Sequence, residues 1–129
     1  MYTAIILHDL GKTIELEGPV VFKYSLEGKL IGHISICHGL IVKVKRDYNL
    51  NSEKVLLLEH MALSHHGQLD FGSPVMPLTK EALLLTLIDN IDSKMNLLEK
   101  TLETVKEGEF TNKIFALDNR AFYKPKKYD

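Results

Sequence analysis

The segment from Thr79 to Val105 constrains the fold more than any other part of the chain. Its apolar residues recur at alternating steps of three and four, which is the spacing of one face of an α-helix. They are Leu84, Leu87, Ile91, Met95, Leu98, Leu102 and Val105. The pattern predicts a long central helix that follows the capping residue Thr79, stops before Gly108 and turns this stripe toward the core.

Three shorter helices are expected upstream, because apolar residues recur at helical spacing before a glycine or an asparagine. Their bounds are residues 4–7, His33 to about Asp47, and Ser52 to the His65-His66 pair, with stops at Gly11, Asn49 and Gly67. Val20 to Ile31 is typical of a short hairpin or ordered loop with Gly28 at its turn. The sequence therefore predicts an all-α helical bundle with a short hairpin near residues 20–31.

Composition limits the classes of protein to which the chain can belong. Its 129 residues are 45% hydrophobic, enough for the core of one domain. The 16 Lys and Arg residues nearly balance the 17 Asp and Glu residues, so contact with nucleic acid would need a local basic patch. No apolar run is long enough to cross a membrane, and the first residues lack the basic start of a signal peptide. The lone Cys37 excludes an internal disulfide, is expected in the core and fits a reducing compartment, so we expect a cytoplasmic protein without membrane contact.

Six residues at predicted helix ends and inside the long helix could hold divalent metal ions. They are His8, Asp9, His33, His65, His66 and Asp89. Imidazole nitrogen and carboxylate oxygen suit ions such as manganese, iron and zinc. In an adjacent His-Asp pair the carboxylate can bridge two ions while the imidazole binds one of them. A single His-Asp dipeptide also recurs by chance, so the inference depends on the whole combination.

Four ordered motifs resemble the HD superfamily of metal-dependent phosphohydrolases. They are His8-Asp9-x-Gly11-Lys12, Gly32-His33, Ser64 to Gly67, and Ile88 to Lys94. Longer segments are similar to the HD domain of YhaM-type 3′-to-5′ exoribonucleases of Gram-positive bacteria. These segments are Gly32 to Ser35, Leu63 to Gly67, Phe71 to Pro77, and Leu117 to Arg120.

The resemblance implies a role for each candidate residue. Asp9 would be the bridging and catalytic carboxylate, and His8 and Asp89 would bind one ion with it. The second ion would take His33, His65 and His66. Lys12 would lie near the substrate phosphate, where an ammonium group can neutralise developing charge. Manganese is the expected ion, with iron, cobalt, magnesium and zinc as alternatives.

The resemblance also implies elements that would precede this sequence. HD proteins carry a first metal-binding histidine on an upstream helix, and YhaM-type proteins carry an OB-fold domain before that. Because only seven residues precede His8, residues 1–129 are expected to be an HD domain truncated at its N-terminus. Such a fragment would lack one ligand and could be inactive by itself.

Three functions remain open at this point. The leading hypothesis is a metal-dependent phosphodiesterase that degrades single-stranded RNA from its 3′ end. The alternatives are an HD-type nucleotide or phosphomonoester phosphohydrolase and a non-catalytic nucleic-acid-binding module. The C-terminal tail interleaves aromatic and basic side chains, which favours a nucleic-acid partner through Arg120 and Lys124, although its aromatics, Tyr128 included, could simply seal the domain.

Overall fold

The computed structural model describes residues 1–127, so Tyr128 lies outside the described part of the chain. The helices are α1 (Tyr2–Leu7), α2 (Lys12–Glu15), α3 (Leu26–Ile31), α4 (His33–Asp47), α5 (Glu53–Ser64) and α6 (Lys80–Glu103). The strands are β1 (Leu16–Glu17) and β2 (Lys23–Tyr24), and single 3₁₀ turns cover Leu69–Phe71 and Phe115–Leu117. The all-α prediction is confirmed. Within residues 1–127, no helix has both the length and the apolar character needed to cross a membrane.

The chain divides into two compact units, residues 1–87 and the residues from Ile88 onward, and α6 runs through the boundary. Two buried clusters form the core of the first unit, and Leu58 packs against both. One contains Ala4, Met61, Ala82 and Leu85, and the other contains Cys37, Ile41 and Ala62. Burying a leucine such as Leu85 stabilises the fold by roughly 1.5–3 kcal/mol.

Cys37 is fully buried, as its expected place in the core requires. Its thiol donates a hydrogen bond to the carbonyl of Leu7 at 3.0 Å, which ties α4 to the last residue of α1. Burial raises the pKa of the thiol, which disfavours the reactive thiolate, and Cys37 packs in the core.

The hairpin begins earlier in the chain than the sequence predicted. Leu16 lies opposite Tyr24 in the antiparallel pair, and Gly18 adopts a φ of 110° between the two strands. Residues 26–31 form α3, so the prediction that Gly28 turns a hairpin was wrong. Gly28 lies inside α3, and glycine is needed there because a Cβ would come 2.4 Å from the carbonyl oxygen of Glu15.

The long helix forms as predicted, but a different face of it is buried. Thr79 Oγ1 accepts a hydrogen bond from the backbone N–H of Ala82 at 3.1 Å, which confirms the cap. Ala82 and Leu85 are buried, whereas the predicted stripe residues Leu84 and Leu87 are 44% and 50% exposed. The predicted core face was wrong because residues 83–85 are all leucine, so spacing alone does not select a face. The small side chain of Ala82 selects it by allowing close packing.

Candidate metal centre

The ends of three helices bring four predicted ligands together in the first unit. Asp9 lies just beyond the end of α1, His33 begins α4, and the His65-His66 pair follows α5. Asp9 Oδ1 lies 3.7 Å from His33 Nε2 and 3.8 Å from His65 Nε2. His33, His65 and His66 each offer a ring nitrogen, and these nitrogens lie within 4.8 Å of one another.

Two glycines in the recognised motifs permit this convergence. Gly11 has an ordinary φ of −59° and precedes α2, so it does not act as the predicted helix stop. Glycine is needed because a Cβ there would lie 2.0 Å from the carbonyl oxygen of His33. Gly67 adopts a left-handed φ of 79° directly after His66, and a Cβ there would lie 2.4 Å from Thr86 Cγ2. Both positions therefore exclude larger residues beside a predicted ligand.

Three of the converging atoms are buried and lack a hydrogen-bond partner within residues 1–127. They are Asp9 Oδ1, His33 Nε2 and His65 Nε2. A buried polar atom left without a partner costs about 1–3 kcal/mol, so three around one point call for a common ligand. Two atoms bound to one tetrahedral ion at about 2.1 Å are roughly 3.4 Å apart. The observed separations of 3.7 and 3.8 Å are only slightly larger, and the donor set fits a divalent cation.

Each imidazole at the site directs its Nδ1 at an oxygen that accepts a hydrogen bond. The pairs are His8 with Ile5 O at 2.8 Å, His65 with Ala62 O at 2.8 Å, His66 with Phe71 O at 2.8 Å, and His33 with Glu15 Oε1 at 3.1 Å. Because those oxygens cannot donate, we assign the ring proton to Nδ1 in all four residues. The Nε2 atoms of His33 and His65, which are buried without a hydrogen-bond partner in residues 1–127, then keep a lone pair for a metal ion.

His65 is electrically neutral at physiological pH. Its side chain has no exposed surface, and burial lowers its pKa to about 4. The hydrogen bond to the carbonyl of Ala62 opposes this shift, while His66 and His8 add to it. A neutral imidazole is the form that binds metal, so His65 needs no deprotonation at neutral pH.

Lys12 contacts this cluster through Asp9 and is partly exposed to solvent. Its ammonium donates to Asp9 Oδ2 at 2.6 Å, and its side chain is 43% exposed. The other oxygen of the same carboxylate, Oδ1, faces His33 and His65. Lys12 thus fixes the carboxylate while its charge remains open to solvent.

Two residues at the site were not identified from the sequence. Glu15 contacts His33 through its carboxylate, and Phe71 contacts His66 through its backbone carbonyl. A carbonyl carries no sequence signal, and Glu15 stands outside the recognised motifs. A cavity of about 340 Å³ opens beside His33 and His66, and Lys29 and Phe71 also line it.

The remaining predicted site residues belong to the second unit. Asp89 is half-buried on α6. It follows Ala82 and Leu85 at steps of three and four residues, so it lies on the same face of the helix.

Arg120 and Lys124 both have partners within the second unit. Arg120 pairs with Asp118 at 2.9 Å and lies over the ring of Phe122 at 5.5 Å. Lys124 donates to the carbonyl of Leu102 in the last turn of α6 and to that of Val105 just beyond the helix, each at 2.8 Å, and so stabilises this end of α6. Phe110 and Tyr123 pack with ring centroids 5.2 Å apart, so these two aromatics contribute to the packing of this unit.

Comparison with known proteins identifies the class to which this site belongs. The HD domain family model matches residues 1–94, and the chain is a member of the HD domain family. The chain is 54% identical over 125 residues to the 3′-5′ exoribonuclease YhaM of Geobacillus sp. (strain WCH70), covering 97% of this chain and 39% of the relative. It is also 54% identical over 125 residues to the 3′-5′ exoribonuclease YhaM of Bacillus pumilus (strain SAFR-032), covering 97% of this chain and 40% of the relative. The chain thus spans about two fifths of the length of these curated relatives. No solved structure matches it.

Proposed function

We propose that this HD domain is the hydrolytic centre of a metal-dependent 3′-to-5′ exoribonuclease that acts on single-stranded RNA. The observation that carries the hydrolytic part is the convergence of Asp9 Oδ1, His33 Nε2 and His65 Nε2, three buried ligand atoms without another partner in residues 1–127. The RNA substrate is supported by the names of the two YhaM relatives.

The proposed ligand set follows the order of the motifs. Asp9 would hold one ion with His33, His65 and His66, and a second ion with His8 and Asp89. Mn²⁺ is the proposed ion, and Fe²⁺, Co²⁺, Mg²⁺ and Zn²⁺ suit the same nitrogen and oxygen donors. Bound divalent ions supply an activated water and neutralise charge on the phosphoryl oxygens.

Lys12 would have two roles at the centre. Its hydrogen bond to Asp9 Oδ2 holds the carboxylate with Oδ1 turned toward the imidazoles. Because the side chain remains 43% exposed, its ammonium can also neutralise charge on a substrate phosphate.

RNA would enter beside the ligands. The cavity next to His33 and His66 is lined by Phe71, which is 61% exposed and offers a face for stacking a base. Lys29 lines the same cavity and can contact a phosphate. Arg120 and Lys124 are proposed to add positive charge for the RNA backbone. Cytoplasmic location is proposed because RNA turnover and a free thiol at Cys37 both fit that compartment.

The test uses the full natural protein, incubated with Mn²⁺ and single-stranded RNA labelled at its 5′ end. We expect stepwise shortening from the 3′ end, and we expect Asp9→Asn to abolish it because an amide is a poor bridging ligand. Asp47→Asn makes the same chemical change on α4, where Asp47 contacts Arg46, and should retain full activity.

The alternatives give different results in this experiment. Hydrolysis of mononucleotides with intact RNA would replace the exoribonuclease with a nucleotide phosphohydrolase. RNA binding without hydrolysis of either substrate would indicate a non-catalytic module. Full activity of Asp9→Asn would remove Asp9 from the proposed centre.

A further inference from the structure

Glu15 is a buried carboxylate whose contacts are directed at one residue. It is 7% exposed, and its Oε1 accepts from the backbone N–H of His33 at 3.0 Å and faces the ring Nδ1 at 3.1 Å. Within residues 1–127, no Lys or Arg forms an ion pair with it. Burying a carboxylate costs several kcal/mol unless its interactions compensate. Its burial therefore needs an explanation beyond packing.

The position of His33 in α4 explains why it needs an acceptor from elsewhere. His8 and His65 follow helix ends, where the carbonyls three residues earlier, of Ile5 and Ala62, are within reach of their rings. His33 begins a helix, and the free backbone groups there are N–H donors. Glu15 satisfies both the N–H and the ring of this residue with one oxygen.

The hairpin and α3 hold Glu15 in place. The backbone N–H of Ser25 donates to the carbonyl of Glu15 at 2.9 Å, and Ser25 Oγ donates to the carbonyl of Ile14 at 2.8 Å. Gly28 approaches so closely that a Cβ would lie 2.4 Å from Glu15 O. Residues 16–28 therefore brace the backbone that carries this carboxylate.

We propose that Glu15 is the positioning residue of the metal centre. It fixes the Nδ1–H tautomer of His33 and turns the ring so that Nε2 faces Asp9 Oδ1, 3.7 Å away. A charged acceptor on the far nitrogen also makes Nε2 a stronger ligand. This inference rests on the metal centre of the proposed function and is independent of its RNA substrate.

The test measures the tautomer of each histidine and the affinity for Mn²⁺ separately. Long-range proton–nitrogen NMR spectra of the metal-free chain report which ring nitrogen of each histidine is protonated, and calorimetry measures Mn²⁺ binding. In the wild type we expect His33 to be protonated at Nδ1. Glu15→Leu replaces the carboxylate with an apolar side chain of similar size and so removes the acceptor. We expect it to abolish the tautomer preference of His33 and to weaken Mn²⁺ binding about 10- to 100-fold.

The chain supplies its own controls. His8, His65 and His66 use backbone carbonyls, so their tautomers should not change in Glu15→Leu. Glu15→Gln keeps an accepting oxygen and should retain the His33 tautomer with a smaller loss of affinity.

Three results would overturn the proposal: a wild-type His33 protonated at Nε2, a Glu15→Leu variant with unchanged Mn²⁺ affinity, or equal changes at all four histidines. If Glu15→Leu does not fold, the wild-type spectrum and the Glu15→Gln variant still decide the outcome. A Glu15→Gln variant that folds like the wild type but loses the Nδ1–H tautomer of His33 would also contradict the proposal. Failure of the chain to degrade RNA would not affect the measured histidine tautomers or the Mn²⁺ affinity.

Discussion

Asp9 Oδ1 and His33 Nε2 face each other at 3.7 Å, and both are buried. The distance is too long for a hydrogen bond, and with the ring proton on Nδ1 both atoms are acceptors. His65 Nε2 lies 3.8 Å from the same oxygen and is an acceptor for the same reason. A cation bound between these atoms would satisfy all three, which is why we propose a metal centre in the first unit.

The pKa of His65 predicts how the stability of the metal-free chain depends on pH. Burial lowers this pKa from 6.5 to about 4, so the unfolded chain binds the proton more readily than the folded chain. The free energy of unfolding should therefore fall as the pH drops from 6.5 to about 4, by up to about 3 kcal/mol. Urea unfolding at a series of pH values measures it.

His65→Asn is the matched variant for this prediction. The Asn amide can still donate to the carbonyl of Ala62, but it does not titrate. The other ionisable groups are unchanged, so the difference between the two pH profiles isolates His65. Parallel profiles for both proteins would show that His65 is not held neutral by the fold.

Gly67→Ala should destabilise the chain by about 2–4 kcal/mol. Alanine strains the left-handed backbone by about 1 kcal/mol, and its Cβ would press on Thr86 Cγ2. Thr86→Ser removes that methyl group and keeps a hydroxyl for the carbonyls of Ser64 and Ala82. The double variant should therefore recover the steric part of the loss, which denaturant unfolding of all four proteins would show as a non-additive effect. Simple addition of the two single effects would refute the steric account.

Lys124→Met should loosen the last turn of α6. The variant keeps most of the apolar stem but removes two hydrogen bonds to the carbonyls of Leu102 and Val105, at a cost of about 1–3 kcal/mol. Amide hydrogen exchange should become faster in residues 102–105. Lys113→Met removes the same charge from an exposed position and should leave this exchange unchanged. Equal exchange rates in the two variants would mean that Lys124 does not stabilise the end of the helix. Because Lys124→Met is expected to loosen α6, any loss of RNA binding in a Lys124 variant must be compared with its amide exchange.

The sequence predicts some elements of the fold well because local signals agree. α4 spans His33 to Asp47 as expected, since Gly32 precedes it and apolar residues recur at helical spacing through it. The predicted ligands that lie in the first unit converge because their motifs mark the helix ends from which they project. Such signals need no knowledge of tertiary packing.

Other features depend on tertiary packing and have no local signal. The buried face of α6 is selected by the small side chain of Ala82, not by the spacing of the leucines around it. From the sequence alone Gly28 is interpreted as a turn residue, because the close approach of the Glu15 backbone that requires glycine is a tertiary contact. Glu15 itself stands between Ile14 and Leu16 outside the recognised motifs, and its role depends on a contact with His33, eighteen residues later.

The central claim is that Asp9, His33 and His65 bind one divalent ion, and anomalous X-ray scattering from crystals grown with Mn²⁺ tests it most directly. We predict an anomalous peak at about 2.0 to 2.2 Å from Asp9 Oδ1, His33 Nε2 and His65 Nε2, with the Nδ1 hydrogen bonds retained. A manganese peak that contacts none of these three atoms, or one bound through the Nδ1 nitrogens, would contradict the claim.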